Sequence, residues 1–149
     1  MSNSVRVDDA PECAYTGPAD GDTAADFRVL LCRWLNDTVE LDSDRGADIV
    51  LAAYEALANC AEHAYREHVV AEGGLMTLKM RHDPAEETVR ICVTDHGSWI
   101  EPDPAAVNAL RGRGLMLMRG LADELSMQGR SDGTAVCLRF NGCPALDKT

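Results

Sequence analysis

Apolar residues recur at helical spacing in the first half of the chain. Between Phe27 and Leu35 they fall every three or four positions, behind a capping dipeptide Asp22-Thr23. This pattern predicts a helix over Thr23–Val39. A second capping cluster, residues 42–44, opens a stretch rich in Ala, Leu and Glu that predicts one long helix from Asp44 to His68.

Beyond Gly73-Gly74 the period of the pattern changes to two. Met76, Leu78 and Met80 alternate with polar residues, and a second alternating run covers residues 89–93. The turn-like sequence Asp83-Pro84-Ala85-Glu86 separates the two runs. The pattern predicts a hairpin of two strands, each with one buried face.

The last third of the chain begins with an irregular stretch. Residues 96–111 contain Gly97 and two prolines, and a connection this long in a small domain is usually functional. A helix is predicted to follow residues 112–114 and to run to Glu124. Two further strands, near 125–128 and 134–140, are predicted to flank a turn.

The order of these elements predicts an α+β fold. We expect residues 1–21 to be a loosely ordered N-terminal segment with a short edge strand around residues 13–16. Residues 22–142 are expected to form one domain. Hairpin strands with helices outside them indicate a two-layer α/β sandwich, with a mixed, mostly antiparallel sheet and helices packed on one face. The order is not a βαβ alternation, which disfavours a doubly wound fold.

Composition narrows the possible partners. The chain has 149 residues and a formal net charge of −11, which disfavours direct binding to nucleic acid because phosphates would be repelled. No apolar run approaches the ~18 residues of a membrane span, and the N-terminus has no apolar signal region. We therefore expect a cytoplasmic protein with no membrane partner.

The six cysteines include no CxxC pair, which disfavours a zinc site. Their even number is compatible with disulfides, but a cytoplasmic location disfavours disulfide formation. We therefore expect most of them to be small core residues.

Glu55 and Asn59 lie four residues apart and share one face of the predicted long helix. Two interpretations of that face are open, a solvated polar side or a functional pair. In the functional interpretation, the carboxylate is a base and the amide is a ligand of a hydrated cation.

Asp95 follows the alternating run 89–93 and points to the same, core-facing side. A carboxylate in that position needs hydrogen-bond donors, since its burial costs several kcal/mol otherwise. It either caps the following turn or accepts from an exocyclic amine of a ligand. Gly97 allows a close approach of the backbone.

Two glycine-containing segments complete the candidate chemistry. In Arg111-Gly112-Arg113-Gly114-Leu115 the glycines precede a helix and the arginines flank them, which suits a phosphate cradle, although a glycine pair alone is common in loops. Gly133-Thr134 begins the last strand, either as a plain hairpin turn or as part of a binding cleft.

The order and spacing of these four features resemble the ATP-binding fold shared by DNA gyrase, sensor histidine kinases and MutL-type ATPases. The stretch from Glu55 to Tyr65, Glu-Ala-Leu-Ala-Asn-Cys-Ala-Glu-His-Ala-Tyr, is similar to the N box of small bacterial anti-sigma-factor serine kinases. The resemblance covers residues 23–140. One departure is Trp99, which stands where the family's first glycine box has its second glycine.

The resemblance implies a role for each residue. Glu55 would be the general base, and Asn59 would bind the Mg²⁺ that bridges the ATP phosphates. Residues 98–111 would form a lid, and Trp99 would pack over the adenine or anchor that lid. The other residues implied in nucleotide binding are Asp95 at the adenine amino group, Gly97 at the base, Arg111, Gly112, Arg113, Gly114 and Leu115 at the phosphates, and Thr134 in support of Asp95.

The resemblance further implies an ATP- and Mg²⁺-dependent protein serine/threonine kinase that regulates transcription by sequestering a sigma factor. Its substrate would be a serine of an anti-anti-sigma (STAS-type) protein, and family members are commonly homodimers. The principal alternative is a non-catalytic nucleotide-binding or partner-sequestering module. Trp99 favours that alternative and Glu55 favours the kinase. A stand-alone ATPase is less favoured, because such enzymes usually carry further coupling domains.

Overall fold

The structure is a computed structural model that describes residues 12–67, 74–95, 116–130 and 133–146. Two helices and five strands are assigned in the order β1 (Glu12–Pro18), α1 (Gly21–Thr38), α2 (Ser43–Glu67), β2 (Leu75–Asp83), β3 (Thr88–Asp95), β4 (Glu124–Arg130) and β5 (Gly133–Phe140). Residues 116–121 are also helical. No helix in these ranges has the length and apolar character needed to cross a lipid bilayer.

The five strands form one sheet in the order β1-β2-β3-β5-β4. Every described pair of neighbouring strands is antiparallel, where the order of elements predicted a mixed, mostly antiparallel sheet. The difference arises because β5 lies between β3 and β4. The hairpin of β4 and β5 therefore joins the hairpin of β2 and β3 through the antiparallel β3–β5 pair. The predicted α+β two-layer sandwich is confirmed.

The core lies between the inner face of the sheet and the helices. Alternate residues of β2 and β3 point inward and are fully buried, as the period of two predicted. Helix α2 meets the sheet through small side chains, which let the helix approach closely. The buried residues of this layer include Ala52, Ala53, Ala56, Leu57, Met76, Leu78, Met80, Val89, Ile91, Val93, Leu138 and Phe140.

The predicted helix starts are close to the observed ones. Helix α1 begins two residues earlier than predicted because Asp20 is its cap, and the Asp20 carboxylate accepts from the Thr23 backbone N–H at 2.8 Å. Before α2, Asp42 accepts from the Arg45 backbone N–H at 2.7 Å, in agreement with the predicted capping cluster. The edge strand predicted around residues 13–16 is present as β1, which pairs with β2.

The third predicted helix is too long at its C-terminal end. The helical residues stop at 121, and the Asp123 N–H donates to the carbonyl of Arg139 at 2.9 Å. Glu124 is already in β4, where it pairs with Arg139. The predicted end of the helix at Glu124 is wrong because this strand pairing outweighs the local helical pattern.

The expectation that the cysteines would not form disulfides is also wrong. Cys92 and Cys137 are joined, with their Cα atoms 4.1 Å apart. They occupy directly opposed positions of β3 and β5, on the outer face of the sheet rather than in the core. Their proximity depends on the register between strands 45 residues apart in sequence, which a cysteine count does not reveal.

Candidate functional site

The candidate site lies at the end of the sheet where β3 finishes. Asp95 is the last residue of β3, and its register partners are Met76 on β2 and Thr134 on β5. The carboxylate side chain faces the helix layer and the residue is only 5% exposed. A carboxylate this deeply buried needs hydrogen-bond donors around it.

Thr134 places a second polar group beside this carboxylate. The hydroxyl oxygen of Thr134 is buried and has no hydrogen-bond partner among the residues that the structure describes. Leaving a buried hydroxyl unsatisfied costs about 1–3 kcal/mol. A ligand that bonds to this hydroxyl would recover that free energy, so the hydroxyl is a candidate contact for a polar ligand.

Helix α2 forms the wall over Asp95. Cys60 on this helix is buried, and the pKa of its thiol is raised to about 12 by burial and by the negative charge of Asp95. This charge effect shows that the Cys60 side of the helix faces Asp95. Cys60 continues the buried stripe through Ala53 and Ala56, so the helical spacing alone predicts its position, although not its role as a neighbour of the site.

Glu55 and Asn59 occupy the same helix at a spacing of one turn. Both side chains are half-buried, so the face that carries them is not fully solvated. Asn59 immediately precedes Cys60 and therefore lies on the turn of α2 that approaches Asp95. The structure thus places Asp95 beside Thr134 and near the Cys60 turn of α2, and it places Glu55 and Asn59 on that same helix.

The chemistry of these four side chains suits a ligand with an amine-bearing ring and an anionic tail. An ionised carboxylate only accepts hydrogen bonds, so Asp95 selects a donor such as an exocyclic amine. The Thr134 hydroxyl both donates and accepts. Asn59 offers an amide oxygen, which suits a cation held mainly by ligand oxygens, and Glu55 offers a base.

The remaining candidate residues are not placed by the structure. Gly97, Trp99 and the run Arg111-Gly112-Arg113-Gly114-Leu115 lie outside the described residues, as does the predicted lid over 98–111. Their roles stay predictions of the sequence resemblance.

Comparison with known proteins supports the fold and identifies the family. The crystal structure of the RsbU and RsbW domains of Rv1364c from Mycobacterium tuberculosis is similar, with a TM-score of 0.61 and 26% sequence identity. The match covers 88% of the present chain and 32% of the solved one, so this chain spans about a third of that protein. No curated protein matches the chain. The model of the histidine kinase-like ATPase domain matches residues 17–140, and the chain therefore belongs to the histidine kinase-like ATPase domain family.

Proposed function

We propose that the chain binds ATP between α2 and the β3 end of the sheet and acts as an anti-sigma factor with protein serine kinase activity. The observation that carries the proposal is the pair formed by Asp95 and Thr134. A buried carboxylate lies in register with a buried hydroxyl that has no described partner, in a chain of the histidine kinase-like ATPase family.

The base of the nucleotide is assigned to the Asp95 end. The Asp95 carboxylate would accept a hydrogen bond from the adenine amino group, and the Thr134 hydroxyl would support that contact. Gly97 and Trp99 would line or cover the base. Guanine presents a carbonyl where adenine has its amine, so the carboxylate would repel it. Asp95 therefore makes the site selective for adenine.

The phosphates and the cation are assigned to α2 and to the glycine segment. Asn59 would hold Mg²⁺, while the amides of Gly112 and Gly114, with Arg111, Arg113 and Leu115, would contact the phosphates. The described residues contain no group of three or more His, Cys, Asp or Glu side chains suited to a metal. Mg²⁺ needs no such group here, because it commonly binds through one or two side chains, phosphates and water. When bound, it supplies charge neutralisation at the phosphates.

Glu55 is assigned the role of general base. Its carboxylate would hold the hydroxyl of the target serine and take its proton as the serine oxygen attacks the terminal phosphorus of ATP. Donors at Gly112–Gly114 would stabilise the charge on the transferred group. A pure nucleotide binder has no need of a base at this position.

The partners follow from the structural similarity to the protein that contains an RsbW domain. We propose an anti-anti-sigma (STAS-type) protein as the phosphorylation substrate and a sigma factor as the sequestered partner. The net charge of −11 suits a basic surface on a sigma factor. Homodimer formation and regulation of transcription belong to the same proposal.

A second candidate is a non-catalytic module that binds nucleotide or sequesters a partner. Trp99 in place of the second glycine of the glycine box favours it. In that case ATP would bind without transfer of phosphate.

Calorimetric titration with Mg²⁺ and ATP tests the binding step. We expect wild-type binding, a loss of about tenfold or more for Asn59→Ala, and little change for a control variant, Asp123→Asn, at the other end of the sheet. Transfer of labelled phosphate to purified STAS-type proteins then tests the kinase, with Glu55→Gln as the inactive variant. Binding without transfer to any of these proteins would favour the non-catalytic module, and no binding at millimolar ATP would refute both nucleotide hypotheses.

A further inference from the structure

The outer face of the sheet carries a cluster that the proposed function does not use. Cys92 on β3 lies between Lys79 on β2 and Cys137 on β5, and Ser126 on β4 continues this row across the sheet. Cys92 and Cys137 are half-buried and bonded to each other. Their Cα atoms are 4.1 Å apart, because the two cysteines are direct register partners on neighbouring strands.

Basic residues lie beside this cysteine pair and on one side of it along the strands, and Lys79 is the register partner of Cys92. Arg90 and Arg139 are register partners. Arg90 precedes Cys92 by two residues and Arg139 follows Cys137 by two residues, so each arginine lies on the same face of its strand as the cysteine. At about 3.3 Å per residue, this places them about 7 Å along the strands from the cysteines. Arg81 extends the arginine row on β2, and an acidic residue stands at each end of the row. Glu12 on β1 is the register partner of Arg81, and Glu124 on β4 forms an ion pair with Arg139 at 3.5 Å.

This charge is unusual in a chain with a formal net charge of −11. Like charges directly opposite each other on adjacent strands, as at Arg90 and Arg139, are destabilising, while the acidic residues at the two ends of the row offset part of this cost. Positive charge does stabilise a thiolate, which is the reactive form of cysteine. The outer face therefore favours thiol chemistry at Cys92 and Cys137.

The other cysteines lack these features. Burial raises the pKa of the Cys143 thiol, and the pKa of Cys60 is raised to about 12, so both are poor nucleophiles. Cys13 and Cys32 are half-buried, but neither has a cysteine partner. The six cysteines thus divide into one paired and positively flanked site and four single thiols.

We propose that Cys92 and Cys137 form a reversible redox site that hydroperoxides oxidise and thiols reduce. One thiolate attacks the peroxide, the O–O bond breaks, and the products are a sulfenic acid and an alcohol or water. The second thiol then attacks the sulfenic sulfur, which forms the disulfide and releases water. Two electrons pass from the sulfurs to the peroxide. A thiol reductant reverses the change through a mixed disulfide.

The location of this bond couples it to the candidate site. Asp95 follows Cys92 by three residues on β3, and Thr134 precedes Cys137 by three residues on β5. The disulfide therefore ties together the two strands that end in the Asp95–Thr134 pair, about 10 Å away. We expect the oxidised form to hold this pair in place and to bind ATP about three- to tenfold more tightly than the reduced form. This coupling rests on the proposed function, whereas the thiol chemistry does not.

Alkylation of the full-length chain tests the thiol chemistry. The protein is reduced, freed of reductant, treated with hydrogen peroxide, alkylated and digested for mass spectrometry. We expect four alkylated cysteines and one linked peptide pair containing Cys92 and Cys137, with all six alkylated after added dithiothreitol. Six free thiols after peroxide, a link that uses Cys13 or Cys32, or a link that dithiothreitol does not open would overturn the proposal.

Matched variants sharpen this test. The double variant Cys13→Ser/Cys32→Ser should still form the link, and Cys92→Ser should not. Arg90→Glu should slow oxidation about three- to tenfold, while Arg33→Glu, an exposed position on α1, should leave the rate unchanged. Equal oxidation rates in the wild type, Arg90→Glu and Arg33→Glu would contradict the role of the arginine row. Because the wild-type result is decisive without any variant, a variant that fails to fold does not affect the conclusion.

Titration of ATP into the oxidised and reduced forms tests the coupling. A lower Kd for ATP in the oxidised form supports the coupling, and equal Kd values in both forms would overturn the coupling. An absence of ATP binding in both forms would refute the proposed function together with the coupling, while the alkylation result would still decide whether the redox site exists.

Discussion

The two ends of the sheet differ in how their buried polar groups are satisfied. At the Asp95 end, the hydroxyl of Thr134 is buried without a described partner. At the opposite end, His82 is 1% exposed and its Nε2 contacts the carbonyl of Cys143 at 2.8 Å. Nearby, Arg45 donates to Asp123 at 2.7 Å and to the carbonyl of Asn141 at 2.8 Å.

The second end is closed by the C-terminal segment. Gly142 has a φ of 69°, in the left-handed region that favours glycine, and this turn carries the chain back to the sheet. The Cys143 N–H then donates to the backbone carbonyl of Glu87 at 2.7 Å, and the Leu146 N–H donates to the backbone carbonyl of Thr38 at 3.0 Å. Polar groups that satisfy one another at this end serve stability. The Thr134 hydroxyl at the Asp95 end has no partner among the described residues, and our proposal assigns that end to ligand binding.

The largest expected effect is on stability, at the end closed by the C-terminal segment. His82→Ala would remove a fully buried ring and its hydrogen bond and should lower the free energy of unfolding by about 2–4 kcal/mol. ATP affinity should not change, because the site lies at the other end. Urea unfolding and calorimetry measure the two quantities, and Arg33→Ala, at an exposed position, serves as the control. A large loss of ATP affinity in folded His82→Ala protein would contradict the separation of roles between the two ends of the sheet.

Asp95→Asn should have the largest effect on ATP binding. The amide keeps the shape but loses the charged acceptor for the adenine amine, and hydrogen bonds to charged groups contribute about 1.5–3 kcal/mol. We therefore expect the Kd for ATP to rise about 10- to 150-fold, with an unchanged circular dichroism spectrum. An unaltered Kd would show that the base does not lie against Asp95.

Thr134→Val should shift stability and binding in opposite directions. Valine has nearly the same shape and leaves no unsatisfied hydroxyl, so the free protein should become more stable by about 1 kcal/mol. ATP should bind about five- to tenfold more weakly, because the ligand loses its hydroxyl partner. Thermal unfolding with and without ATP measures both effects. A loss of stability in the absence of ATP would mean that the hydroxyl has a structural partner.

The smallest expected effect concerns Asp123 and pH. The backbone N–H of Asn141 and, secondarily, Arg45 hold the pKa of Asp123 below its usual value, against an opposing effect of partial burial. Its contribution to stability is therefore present above the unfolded-state pKa and is lost as the pH falls through the lower folded-state pKa.

Because Asp123 is largely exposed to solvent, we expect Asp123→Asn to cost less than about 1 kcal/mol at pH 7. The difference in the free energy of unfolding between the wild type and this variant should be smaller at pH 3 than at pH 7. Urea unfolding at the two pH values checks this, and a difference that grows as the pH falls would contradict the assigned sign.

The sequence predicted the parts of the fold that depend on local pattern. The alternation before Asp95 predicted that this carboxylate faces the helices, and the spacing of Glu55 and Asn59 placed them one turn apart on α2. Local signals succeed here because burial of one strand face or one helix face selects a single period.

Features that depend on long-range register could not be predicted in this way. The Cys92–Cys137 bond requires β5 to pair with β3 in one particular register. The contact between Arg45 and Asp123 joins residues 78 positions apart, and the segment after Gly142 carries no periodic signal, although Val39 and Ala145 form a β-bridge. These contacts are set by tertiary packing.

The proposed function depends most on one contact, in which the Asp95 carboxylate accepts from the amino group of a bound adenine. Calorimetric titration of the wild-type chain with ATP and, separately, with GTP tests this contact. We expect ATP to bind and GTP to bind about 100-fold more weakly or not at all, because a carbonyl replaces the amine opposite a buried carboxylate. Equal affinities for ATP and GTP, or tighter binding of GTP, would contradict it.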